Sequence, residues 1–128
     1  MQEIRNEETM RTMLMRRTTD DLRVIYSNLK WGKSHVLHIG ILIAAIVESR
    51  YSNTEAIQEA LTISNRSKRD AFFRIFSSER LSEIKSKMLQ ILLNKDYEHF
   101  AIRLTSMMDS IERIQSNRNY RVELINTL

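Results

Sequence analysis

A chain of 128 residues with no proline and only two glycines, Gly32 and Gly40, has few places to reverse direction sharply. Sandwiches and barrels need turn residues at short intervals, because their strands reverse through positive φ or through the φ that proline holds. Those intervals are missing, so we expect an all-α fold: a compact multi-helix domain of about six helices joined by brief connections. Hydrophobic residues make up 42% of the chain, enough for a core, and the length is that of one domain. We expect one helical domain over 1–128, made of an N-terminal arm (1–33), a core (34–76) and a C-terminal hairpin and tail (77–128).

The apolar spacing divides the chain further. Ile4, Met10, Met13 and Leu14 form a loose stripe over Gln2–Met15 with Glu3, Glu7 and Glu8 near its start, as suits a helix N-terminus. Thr18 or Thr19 can cap a second helix running to about Lys30, with Asp20 and Asp21 in its first turn. Leu22, Ile25, Tyr26 and Leu29 share one face of it, so the two Asp residues match the helix dipole rather than form a catalytic pair. Trp31-Gly32-Lys33 should stop this helix, with Gly32 as the left-handed cap. Ser34–Arg50 then reads as a central helix, apolar nearly all round from Val36 to Val47 and therefore covered on several sides, with Gly40 admitting a close neighbour. That apolar run is too short to span a bilayer, which takes about 20 helical residues.

Ser52-Asn53-Thr54-Glu55 is a capping box that starts the next helix at Asn53. Ile57, Ala60 and Leu61 line one side of it, Thr62-Ile63-Ser64 turns the chain, and Ser64 is placed to cap a helix from Asn65 to about Phe76. Arg66, Lys68 and Arg69 make the first turn of that helix cationic, while Ala71, Phe72, Ile75 and Phe76 supply an inward face. Downstream, Ser77-Ser78 opens a helix to Leu93 carrying Leu81, Ile84, Met88, Ile91 and Leu92. Asp96 caps another to about Gln115 carrying Tyr97, Phe100, Leu104, Met107, Met108, Ile111 and Ile114, and the two stripes suit an antiparallel hairpin. Ser116-Asn117-Arg118-Asn119 should interrupt the last helix, leaving Tyr120–Leu128 as a short helix or strand.

Ile57, Ala60-Leu61, Ile63 and Ser64 occupy the apolar, small-apolar and turn-closing places of the helix-turn-helix superfamily, which residues 54–76 resemble. Thr62 stands where that family usually has Gly, and Lys68 where the recognition helix usually has an apolar residue. The resemblance implies a DNA-reading head in which the helix over 65–76 enters the major groove and Ser34–Arg50 supports the pair from outside. Asn65, Arg66, Ser67 and Arg69 would then meet bases, Lys68 would belong to the same turn, and Lys33, Arg50, Arg74 and Arg80 would meet phosphates. It also implies a two-fold homodimer on double-stranded DNA, as in a small transcriptional regulator.

The charge distribution fits that reading. The net charge is +4, and residues 66–80 hold five basic side chains against two acidic ones, whereas residues 1–31 hold six against five. No Gly-rich phosphate loop, nucleophile elbow or HExxH motif occurs, and with no cysteine there is no thiolate chemistry, so we expect no enzyme activity and no cofactor. His35, His38 and the distant His99 are not expected to bind metal. The absence of cysteine and of an apolar segment in MQEIRNEETM leads us to expect a cytoplasmic protein. The competing expectation is a helical protein-interaction module, in which Ala71, Phe72 and Phe76 lie partly on the surface as a docking stripe.

Overall fold

The computed structural model describes residues 2–30, 32, 34–94 and 99–127, with side chains from residue 8 to residue 119 except Ser34. Among the described residues the fold is all-α, with seven helices and no strand: α1 (Gln2–Met15), α2 (Thr19–Ser27), α3 (Ser34–Arg50), α4 (Asn53–Thr62), α5 (Arg66–Ile75), α6 (Ser78–Leu92) and α7 (Ala101–Thr127). The count exceeds the expected six. Trp31, Lys33, Asp96, Tyr97 and Leu128, and the side chain of Ile4, lie outside the described residues. The helices fall into two compact units, Met1–Ser52 and Asn53–Leu128.

In the first unit, α1 ends where Arg17 N donates to the Leu14 carbonyl at 3.0 Å. Thr18 Oγ1 then accepts from Asp21 N at 3.1 Å and starts α2. Helix α2 stops at Ser27, earlier than expected, with Asn28 as its C-cap. Gly32 lies further on, at φ +127°, a backbone conformation that side-chain-bearing residues rarely adopt. Helix α3 packs against α1 and α2 and buries Leu42, Ile43, Ile46 and Val47. It is not covered all round: Leu37 and Ile41, one turn apart, are 54% and 58% exposed. Arg50, at the end of α3, donates to the Met15 carbonyl at 3.0 Å, the Arg17 carbonyl at 2.9 Å and Thr19 Oγ1 at 3.2 Å. One guanidinium thereby joins the end of α1, the start of α2 and the last turn of α3.

In the second unit, α4 packs on α6, α6 on α7, and α5 on α7. Ser77 Oγ accepts from Arg80 N at 3.2 Å and caps α6. Helices α6 and α7 are antiparallel, since Lys85 pairs with Glu112 at 3.0 Å while Gln115 Nε2, further along α7, reaches the Ser78 carbonyl at 3.0 Å and Ser82 Oγ at 2.8 Å. The expected break at Ser116–Asn119 is absent, and α7 runs unbroken to Thr127. The polar residues there serve packing. Arg118 donates to Ser78 Oγ at 2.9 Å and to the Arg74 and Phe76 carbonyls at 2.9 and 3.0 Å, which satisfies the exposed end of α5 and the start of α6.

Candidate nucleic-acid interface

The α4–α5 corner is built by hydrogen bonds local to the chain. Ile63 N donates to the Ala60 carbonyl at 3.2 Å as α4 ends. Ile63, Ser64 and Asn65 form the turn, and Asn65 rather than Ser64 caps α5: its Oδ1 accepts from Lys68 N at 3.1 Å, and its carbonyl accepts from Arg69 N at 3.0 Å. Thr62, in the place that usually holds Gly, closes α4 with its hydroxyl donating to the Glu59 carbonyl at 2.6 Å. No described residue other than glycine has positive φ, so the corner does not require glycine here.

Beyond its first turn, α5 is held inward by Phe72, Phe73, Ile75 and Phe76, all buried. Phe73 is an inward residue that the sequence reading left out, while Ala71, counted there as inward, is half-buried. The outward strip is narrow: Ser67 and Arg74, two turns apart, are exposed, with Ala71 between them. Asn65, Arg66, Ser67 and Lys68 are all exposed in the first turn.

Arg69, expected with Asn65, Arg66 and Ser67 to meet bases, is instead only 6% exposed. It shares a helical phase with Phe72, Phe73 and Phe76, which accounts for its burial. Arg80 is half-buried; its Nε donates to Asn53 Oδ1 at 3.1 Å, lies 3.8 Å from Glu83, and the guanidinium stands 5.6 Å from the centre of the Phe76 ring. That set ties α6 to the start of α4 and to the end of α5. Arg50 belongs to the Met1–Ser52 unit and is spent on the α1–α2 junction, and Lys33 lies outside the described residues. Of the nine expected DNA-contacting residues, the structure groups Asn65, Arg66, Ser67 and Lys68 in one exposed turn with Arg74 along the same helix.

Arg103, Arg113 and Ser110, which had no place in the sequence reading, act on these helices together with Asp70 near the start of α5. Arg103 donates to the Leu61 carbonyl at 3.0 Å and caps the end of α4. Asp70, 7% exposed, lies 3.8 Å from Arg113 Nη1, while Arg113 Nη2 donates to the fully buried Ser110 Oγ at 3.1 Å. Asp70 Oδ1 is enclosed with no hydrogen-bond partner. A carboxylate one turn ahead of Phe73 was the available signal for this polar contact between α5 and α7. Among the described residues no group of three or more His, Cys, Asp or Glu side chains could hold a metal ion, and no helix is long and apolar enough to cross a membrane. No protein-family model, curated protein or solved structure matches this chain.

Proposed function

We propose that the chain is a sequence-specific double-stranded DNA-binding protein, a small cytoplasmic transcriptional regulator that presents α5 to the major groove. The observation that carries this reading is the combination in α5 of an exposed cationic first turn, Arg66-Ser67-Lys68, with a following stretch anchored by four buried apolar side chains. A helix fixed at its far end can hold its first turn rigidly toward phosphates and base edges. The small outward side chains of Ser67 and Ala71 leave room for groove walls, and Arg74 extends the positive strip. Resemblance of residues 54–76 to helix-turn-helix heads points the same way. The interaction-module alternative places Ala71, Phe72 and Phe76 partly on the surface; Ala71 is half-buried, but Phe72 and Phe76 are 1% and 0% exposed, which weighs against that stripe.

The test is fluorescence anisotropy on mixed-sequence duplex at several salt concentrations, comparing wild type with Arg66→Ala/Lys68→Ala. Both side chains are exposed, so each change should move stability by only about ±0.5 kcal/mol. Affinity should fall on the order of tenfold, and the slope of log K against log salt should flatten by about one for each of the two side chains that meets a phosphate, while loss of a base contact by Arg66 should cost about 1–3 kcal/mol on the preferred site alone. A wild type without duplex affinity at low salt, or a folded double variant with unchanged affinity and slope, would end this reading.

We place the protein on DNA as a homodimer. The exposed apolar side chains of the Met1–Ser52 unit, Met13, Met15, Val24, Leu37 and Ile41, support a covering second copy. Light scattering at micromolar concentration should give twice the 15.2 kDa chain mass, and a monomer mass there overturns the dimer.

A further inference from the structure

We propose that the start of α5 is a phosphate-binding site in which Arg69 is the principal ligand. The inference uses the same helix as the DNA-binding reading and rests on it only for the source of the phosphate. Arg69 is only 6% exposed, yet its guanidinium makes no hydrogen bond or ion pair with any described residue, and its Nε is enclosed without a partner. A buried guanidinium is normally paired, because removing the charge from water is costly and five N–H donors are left unused. The nearest acidic residue along the chain, Asp70, is held beside Arg113 at 3.8 Å on another side of the helix. Helical side chains lean toward the N-terminal turn, which brings the start of α5 within reach of Arg69, one turn in.

What waits at that start is complementary to an anion. Asn65 takes up Lys68 N through its side chain and Arg69 N through its carbonyl, which leaves the Arg66 and Ser67 N–H groups without a partner among the described residues. These two donors carry the positive end of the dipole of a ten-residue helix, and the exposed Arg66 and Lys68 side chains flank them. The site offers a planar fork for two oxygens of one phosphate group and two backbone donors. A phosphate of the duplex backbone and free inorganic phosphate share this chemistry.

The experiment uses the full chain as wild type, Arg69→Met and Arg69→Lys. Methionine keeps an unbranched stem and removes the uncompensated charge, so Arg69→Met should fold, as followed by circular dichroism. Thermal midpoints are measured in inorganic phosphate against chloride at matched ionic strength. Phosphate raises the midpoint of most proteins by exclusion, and this shared increment should appear in both chains. Wild type should show a further rise that Arg69→Met lacks. On mixed-sequence duplex, Arg69→Met should lose on the order of tenfold in affinity and about one unit of salt slope, with Arg69→Lys between the two because ammonium is a point charge rather than a fork.

Loss of the phosphate-specific rise in Arg69→Met alongside a wild type that binds no duplex upholds the site with free phosphate as ligand and removes the DNA reading. Equal phosphate responses, with duplex affinity and slope unchanged in Arg69→Met, overturn the site and leave the DNA reading standing. If Arg69→Met fails to fold, Arg69→Lys decides: wild-type duplex affinity and phosphate response in that variant overturn the proposal.

Discussion

Phe72→Ala is expected to lower the stability of the Asn53–Leu128 unit by about 3–5 kcal/mol, the largest effect of any single change considered for this protein. The Phe72 ring is 1% exposed and stands 5.8 Å from the Phe73 ring and 5.1 Å from the Phe76 ring, the latter edge to face. Truncation removes the transfer free energy of the ring and leaves a cavity beside the buried Phe73 and Phe76, which close packing fills only in part. The two aromatic pairs add about 0.5–1.5 kcal/mol each beyond area burial. Urea denaturation followed by far-UV circular dichroism measures it, with Ala71→Ser as a control on the half-buried side of the same helix. A loss below about 1 kcal/mol would show that Phe72 is not enclosed, and would return the docking-stripe alternative to consideration.

Arg50→Ala should cost about 2 kcal/mol and leave duplex affinity unaltered. Its guanidinium serves the carbonyls of Met15 and Arg17 and the hydroxyl of Thr19, and a hydrogen bond from a charged donor contributes roughly 1.5–3 kcal/mol where water is excluded. Two of the three bonds are exposed, so water replaces part of the loss, which sets the figure well below the sum. The sequence reading gave Arg50 a phosphate contact, and the two roles separate cleanly. A structural Arg50 shows up in the melting curve and not in the salt slope of binding. A variant with wild-type stability and a salt slope flattened by about one would restore the phosphate role.

Arg50 and Arg69 show what charge patterning alone leaves out, namely which cations the fold encloses or ties to backbone carbonyls. Arg69 was grouped with Arg66 and Lys68 as a cation of the first turn of α5, and Arg50 with Lys33, Arg74 and Arg80 as a phosphate contact. Helical phase already distinguished Arg69, which lies in register with Phe72, Phe73 and Phe76, and weighing that register against the charge run would have placed it inward. Nothing comparable marked Arg50, whose acceptors come from a junction more than thirty residues earlier. The polar run Ser116–Asn119 misled in the opposite sense. Composition marked it as a break, yet Arg118 and the neighbouring Gln115 are the contacts through which α7 grips the α5–α6 junction.

The all-α class, the span of α1 over Gln2–Met15, the span of α3 over Ser34–Arg50, the start of α4 at Asn53 and the opening of α6 at Ser77-Ser78 were all determined by the sequence itself. Each depends on apolar periodicity or on a side chain reaching a backbone N–H three residues on, as Thr18 does to Asp21 and Ser77 to Arg80, so a few neighbouring residues carry the whole instruction. The continuity of α7, the exposure of Leu37 and Ile41 and the capture of Arg50 were decided only by tertiary structure. The hydrogen bonds of Arg50 and Arg118 join residues 31 to 44 positions apart, and at that separation a side chain's partner is chosen by how helices pack rather than by the residues beside it in the chain.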